Sequence, residues 1–187
     1  LLGIADYLLT NNRDIVVPQD DSVVRFSSQN QQRIIIRRSR GLSPVYINPK
    51  IKRSPENIFA AGGGLKSTFS FTCFGNFYTS QYLGNLENSI TQSSYSAVAE
   101  HFFKIFNAEP EIILADKHPL YFARHYAEEL ADRFSVPIRY FQHHKAHFAA
   151  VLGENDLLNK KEPVLGFIWD GTGYGDDGNI WGGEFFE

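Results

Sequence analysis

Three of the chain's six histidines lie within five residues, in Gln142-His143-His144-Lys145-Ala146-His147. On a helix His143 and His147 stand four apart and His144 and His147 three apart, so either pair projects from one face toward a single ion. Neutral imidazole is the commonest metal ligand near neutral pH. Zinc proteases of the His-Glu-x-x-His kind need a glutamate at the second position as general base. His144 stands there, which disfavours that chemistry. A third ligand must come from elsewhere, and Asp170 is best placed: it closes the apolar run Val164-Leu165-Gly166-Phe167-Ile168-Trp169, and strand ends of open α/β sheets face the ligand crevice. The competing reading is that these histidines cap and solvate an exposed helix start. His101 and His125 fall in amphipathic helices and read as surface residues, while His118, at a strand end in Asp116-Lys117-His118-Pro119, is a secondary site candidate.

Two glycine-rich stretches could hold an anion. Asp170-Gly171-Thr172-Gly173-Tyr174-Gly175-Asp176-Asp177-Gly178 joins two apolar strands, and glycine lets backbone N–H groups approach phosphate oxygens closely. No Gly-Lys-Ser/Thr follows, so it is not a P-loop; a strand and not a helix comes next, so it is not a Rossmann turn. It looks like the Asp-Gly-Thr hairpin of actin-type phosphotransferase folds, the alternative being a plain hairpin loop. Gly62-Gly63-Gly64-Leu65-Lys66-Ser67-Thr68, again between strands, sets backbone amides, Lys66 and two hydroxyls where a phosphate could sit, unless Lys66 is simply a solvated charge. Arg37-Arg38-Ser39-Arg40-Gly41 is a third candidate, since guanidinium groups fork onto phosphate, although basic strand ends are commonly just solvated.

These residues need elements to position them. The first segment reads as a short helix over Leu2–Thr10, a strand at Ile15-Val16-Val17, and a hairpin pairing Ser22–Phe26 with Arg33–Arg38. Its roughly 45 residues are too few for an independent core. Residues 1–48 are therefore expected to be the tail of a larger domain, with 48–55 as linker. Beyond it come a three-stranded meander (57–61, 67–73, 76–81), a helix over Thr91–Asn107, a strand at Glu111–Ala115, and a helix from Pro119 to Phe134 opened by proline. A strand at Pro137–Phe141, the histidine helix and a final hairpin (163–170 and 179–186) complete the pattern. The order β-β-β-α-β-α-β-α plus a new hairpin predicts an α/β fold: a ribonuclease-H-like lobe with a mixed sheet and flanking helices, then the start of a second lobe.

Composition narrows the function classes. The chain has 187 residues, a formal charge of −3, 43% hydrophobic and 21% charged residues, which is ordinary for a globular protein and excludes disorder, collagen and coiled coil. No apolar run approaches the ~18 residues of a membrane span, and no membrane partner is expected. Cys73 is the single cysteine, which fits a reducing, cytoplasmic compartment and removes any multi-cysteine metal framework. Seven cationic side chains and no acid lie between Arg33 and Arg53, whereas five acids and no base follow from Asp170 onward. A nucleic-acid enzyme should extend a basic face beyond that first stretch, so no nucleic-acid partner is expected. The chain starts at Leu1 and contains no methionine, from which an excised piece of a longer protein is expected.

Taken together, Asp20-Asp21-Ser22-Val23-Val24-Arg25, Arg37–Pro44, Gly62–Phe69, Gly84-Asn85-Leu86-Glu87-Asn88, His143–His147 and Asp170–Glu184 resemble the HypF family of [NiFe]-hydrogenase maturation carbamoyltransferases. The resemblance implies that residues 1–48 end a YrdC-like domain and that 49–187 form the first lobe and part of the second lobe of a Kae-type carbamoyltransferase domain. It implies that carbamoyl phosphate and ATP yield carbamoyl adenylate, whose carbamoyl group passes to the C-terminal cysteine of a HypE-like acceptor protein. By the same resemblance His143, His147 and Asp170 hold a divalent metal, zinc or iron with magnesium a further option, and another aspartate ligand lies beyond residue 187. Arg37, Arg38, Arg40, Gly63, Gly64, Lys66, Asp170, Gly171, Thr172 and Gly173 are the expected nucleotide-binding residues, with Lys66 and His118 the catalytic candidates. Cys73 is expected to be structural, because the partner supplies the thiol.

Rival readings share parts of this pattern. An O-carbamoyltransferase of antibiotic biosynthesis would use a sugar hydroxyl as acceptor, and a threonylcarbamoyl transferase would act on transfer RNA. A non-haem iron oxygenase uses two histidines and a carboxylate, but its usual β-barrel conflicts with a helix-borne pair. A non-catalytic interaction module is the remaining option.

Overall fold

The computed structural model describes residues 3–47 and 54–187. The first segment forms the expected hairpin, with Val23–Phe26 (β1) antiparallel to Arg33–Arg37 (β2) as a separate two-stranded sheet. Residues 3–10 are not helical and 15–17 form no strand. Both stretches are too short to hold backbone structure without a packing partner, and residues 3–10 are exposed. Val17 packs instead against the core of the following lobe, and the Gln81 side-chain amide donates to the Pro18 carbonyl. The expected linker lies largely outside the described residues.

Val45–Ile47 (β3), Ile58–Ala60 (β4), Ser70–Cys73 (β5), Asn76–Thr79 (β6), Ile112–Asp116 (β7) and Ile138–Phe141 (β8) make one six-stranded sheet in the order β3-β6-β5-β4-β7-β8. The meander β4-β5-β6 is antiparallel, whereas β4, β7 and β8 run parallel. Without β3 this is the strand order of the ribonuclease-H-like lobe expected from sequence. The edge strand β3 pairs with β6, although it precedes the boundary at 48 drawn from composition. The parallel trio matters for function, because its three carboxyl ends leave the sheet along one edge.

Ser89–Phe106 (α1) begins where the Asn88 side chain accepts from the Thr91 N–H and closes on Asn107 in the left-handed region. It buries Tyr95, Val98, Ala99, Phe102 and Phe103, the three-four spacing of an apolar stripe. Phe122–Phe134 (α2) starts at Tyr121, so Pro119 stands ahead of the helix and not in its first turn. Phe59 of β4 joins the two helices, lying 5.2 Å from Phe69, 5.6 Å from Phe103 and 6.4 Å from Tyr126 between ring centres. Cys73 is buried on β5, and burial pushes its thiol up. Fully buried Tyr95 donates its hydroxyl to the Ala61 carbonyl at 2.6 Å. Tyr95→Phe removes that donor and is expected to cost about 1–2 kcal/mol, read as a lower urea midpoint at unchanged slope.

His143–Glu154 (α3) follows β8, and Gly166–Tyr174 (β9) with Ile180–Phe186 (β10) forms a second two-stranded sheet. Among the described residues no helix is long and apolar enough to cross a membrane.

Candidate metal centre

The site lies at the carboxyl ends of the parallel strands, where open α/β sheets leave a crevice. From β4 comes the Gly62–Thr68 loop, from β7 comes Asp116, and from β8 the chain turns directly into α3. Gln142 caps that helix: its Oε1 accepts from the Lys145 N–H at 3.0 Å. One turn later His147 meets His143 edge-on, the two Nε2 atoms 3.2 Å apart. Asp170 Oδ2 lies 3.2 Å from His143 Nε2 and 3.9 Å from His147 Nε2. Three ligand atoms therefore converge within 4.8 Å.

Of the two pairs that spacing allowed, His143 and His147 are brought together and His144 is not. His144 is fully buried against β9, where its Nδ1 meets the Gln142 Nε2 amide at 2.8 Å. A Cβ on Gly173 would stand 2.3 Å from the His144 ring, and one on Gly166 the same distance from the Phe148 ring. The two glycines are thus notches into which one face of α3 docks. The adjacent face, carrying His143 and His147, is left toward Asp170.

The glycine-rich stretch differs from the turn expected over 170–178. Gly171, Thr172 and Gly173 belong to β9, and the chain reverses only at Gly175–Asn179. Trp181 pairs with Gly173 and Gly183 with Trp169, so two steps along β10 oppose four along β9. Asp170, Gly171 and Thr172 sit in this bulge, a device that re-aims a side chain out of the ladder. The Gly171 N–H is donated to Asp170 Oδ1 at 2.8 Å, leaving Oδ2 for the histidines.

Asp116 is the site residue that sequence reasoning missed. Its Oδ2 lies 2.7 Å from His143 Nδ1 and its Oδ1 accepts the His118 N–H. A carboxylate behind a ligating imidazole fixes the ring and its tautomer, presenting the Nε2 lone pair forward. The available signal was its place at the end of a parallel strand. Asp116 first, and the Asp170 charge in addition, hold His143 above the ordinary imidazole value against its burial; burial and then the neighbouring His143 hold His147 below it.

Residues 53–154 match the family model of the HypF Kae1-like domain, more than half of the chain. The chain belongs to the HypF family. It is 40% identical over 187 residues to carbamoyltransferase HypF of Synechocystis sp., covering 100% of this chain and 23% of that protein. It is 37% identical over 185 residues to the probable carbamoyltransferase HypF of Methanocaldococcus jannaschii, covering 98% of this chain and 23% of that protein. A crystal structure of full-length HypF in the phosphate- and nucleotide-bound form superposes with a TM-score of 0.84 at 40% identity, covering 97% of this chain and 27% of that one. The HypF of T. kodakarensis superposes with a TM-score of 0.80 at 38% identity, over 93% of this chain and 22% of that one. The chain thus spans about a quarter of the length of its HypF relatives.

The other expected site residues of this HypF chain fall in three places. Gly63 and Gly64 lie against the centre: a Cβ on Gly63 would be 3.6 Å from His143, and one on Gly64 3.2 Å from the Tyr121 ring. His118 stacks on Tyr121 at 4.1 Å and meets Tyr174 edge-on at 5.6 Å. Gly64, Tyr121 and His118, with Leu86 and Phe122, line a cavity of about 530 Å³ beside the centre. Lys66 is exposed in the same loop, its N–H donated to Asn85 Oδ1. Arg37 ends β2 and Arg38 and Arg40 follow it, and their contacts are with other residues than those of the centre. Arg37 pairs with Asp20 and lies over the Tyr82 ring, Arg38 donates to the Leu42 carbonyl, and Arg40 reaches Asp21 at 3.6 Å.

Asp116→Asn keeps the shape but replaces the carboxylate behind His143 with a neutral amide. Loss of such a partner is expected to lower metal affinity about 10–100-fold, measured by competition of the full chain against a zinc chelator.

Proposed function

We propose that this chain carries the metal-holding part of a HypF-type carbamoyltransferase, acting in the cytoplasm in [NiFe]-hydrogenase maturation. Carbamoyl phosphate and ATP are its substrates, carbamoyl adenylate the activated species, and the C-terminal cysteine of a HypE-like protein the acceptor. The observation that carries this reading is the convergence of His143 Nε2, His147 Nε2 and Asp170 Oδ2, backed by Asp116, in a chain 40% identical to a carbamoyltransferase HypF.

The donor set fits a divalent ion. Two imidazole nitrogens and one carboxylate oxygen suit zinc or iron and leave positions open, and two Nε2 atoms facing each other across 3.2 Å have an obvious use as joint ligands. When bound, the ion would supply Lewis-acid polarisation of the carbamoyl carbonyl. The rest falls to the chain. Asp116 keeps the His143 proton on Nδ1, and the Gly171 N–H fixes the Asp170 carboxylate. Gly63 and Gly64 let the loop after β4 lie close to the centre, with exposed Lys66 available to add charge. His118 and Tyr121 wall the adjoining cavity, where His118, His125 and Glu87 are titratable side chains. The open six-stranded sheet with a helix-borne histidine pair speaks against the oxygenase alternative, which uses a barrel.

The test uses the full-length parent protein with carbamoyl phosphate, ATP and a HypE-like acceptor. A mass gain of one carbamoyl group on the acceptor's terminal cysteine is expected. No gain, with an acceptor known to be reduced and intact, rejects the assignment.

A further inference from the structure

The groups of the metal centre come from three separate elements, and a small ionic network ties those same elements together. Lys117 directly follows Asp116 at the end of β7. Lys145 lies on α3 between His143 and His147. Asp176 is in the turn between β9 and β10, six residues beyond Asp170. Lys117 Nζ donates to Asp176 Oδ1, and Lys145 Nζ donates to Oδ2 of the same carboxylate at 2.6 Å.

The hairpin needs such a tie. Among the described residues β9 and β10 pair only with each other, not with the six-stranded sheet. Asp170 therefore reaches the histidines through side-chain docking: His144 and Phe148 in the glycine notches, the Gln142 amide on the Tyr174 carbonyl, and His118 against Tyr174. These contacts mostly bind the hairpin to α3. Lys117 adds an ionic tie to β7, the strand that carries Asp116.

We propose that Lys117, Asp176 and Lys145 form a clamp that fixes the β9–β10 hairpin against β7 and α3 and so sets the distance from Asp170 to His143 and His147. The three are positioning residues. The proposal rests on the metal reading above. An isolated exposed ion pair is worth little, but here one carboxylate uses both oxygens on two elements distant in sequence. A displacement of about 1 Å is enough to spoil a ligand set.

Charge and position predict opposite signs, which makes the clamp testable. Two lysines repel a nearby cation, so by charge alone replacing them should tighten metal binding. If they act as a clamp, replacing them loosens it. Cobalt(II) titration of the full chain, followed by visible absorption, would compare the native chain with the Lys117→Met/Lys145→Met and Lys117→Arg/Lys145→Arg double variants. The Met pair is expected to bind cobalt about tenfold more weakly, with faster amide hydrogen exchange confined to residues 166–186, while the Arg pair keeps native affinity. A general loss of fold would instead raise exchange in β4 and β7 as well, and that pattern overturns the proposal. So does a Met pair that binds cobalt as tightly as the native chain or tighter. A native chain that binds no cobalt rejects the metal reading, and the exchange data then judge the clamp separately.

Discussion

His143→Ala and His147→Ala are both expected to empty the metal centre, yet to differ in what they do to the fold. A structural zinc site of four ligands contributes roughly 10–16 kcal/mol. Divided among four ligands this is about 2.5–4 kcal/mol each, or roughly 10²–10³-fold in affinity. Both variants should show that loss in metal content and in competition titrations. They part on stability, because the two imidazoles have different neighbours. The His147 side chain is 55% exposed and touches mainly His143 and Asp170, so its truncation should leave the apo chain's denaturation midpoint nearly unchanged. His143 is the partner of Asp116, whose side chain is only 7% exposed. Without the imidazole the Asp116 Oδ2 oxygen is buried unpaired, at a cost of about 1–3 kcal/mol. Unchanged metal content in both variants would reject the centre. Equal stability losses would reject the assigned division of roles.

Gly173→Ala is expected to damage the hairpin and the seat of α3 together. The added Cβ would meet His144 Cε1 at 2.3 Å and Nδ1 at 2.7 Å, well inside contact distance. His144 is 0% exposed and cannot swing into solvent. Its Nδ1 is tied to the same Gln142 side chain that caps α3 and donates to the Tyr174 carbonyl. Moving the ring therefore disturbs the cap, the seat of α3 and the course of β9 together. Overpacking and a strained buried hydrogen bond sum to about 2–4 kcal/mol, and metal affinity should fall with stability because Asp170 lies three residues away on the same strand. Gly171→Ala is the control for stability: nothing lies within 4 Å of its Cβ, so its denaturation midpoint should stay close to native. If the two alanines destabilise equally, the notch does not seat α3.

From Asn57 onward the elements were readable because their apolar residues repeat on a regular period and find a partner. The stripe Tyr95, Val98, Phe102 is helical, and the alternation through Phe69 and Phe71 is that of a strand. Local pattern failed where burial did not back it. Leu2–Thr10 has a helical rhythm in sequence, but residues 3–10 are exposed with no surface to pack on, and Ile15–Val17 offers one side chain to a neighbouring core and no strand to pair with. It also failed where glycine carried two meanings. In Asp170–Gly178 the glycines were read as one loop, but Gly173 is a packing notch inside a strand, and only Gly175 and Gly178 belong to the reversal.

The amino-acid sequence by itself determined the candidate ligand types, their helical spacing and the family to which the chain belongs, because these are properties of residues read along the chain. Helical spacing left two histidine pairs open, of which the family resemblance pointed to His143 and His147, and neither gave a role to Asp116. Tertiary structure decided both. The parallel register of β7 and β8 carries Asp116 to within 2.7 Å of a histidine 27 residues away. The seating of His144 and Phe148 against Gly173 and Gly166 turns the His143–His147 stripe toward Asp170. Contacts of that kind depend on which face of an element is buried, and a helix or strand acquires a buried face only when another element covers it.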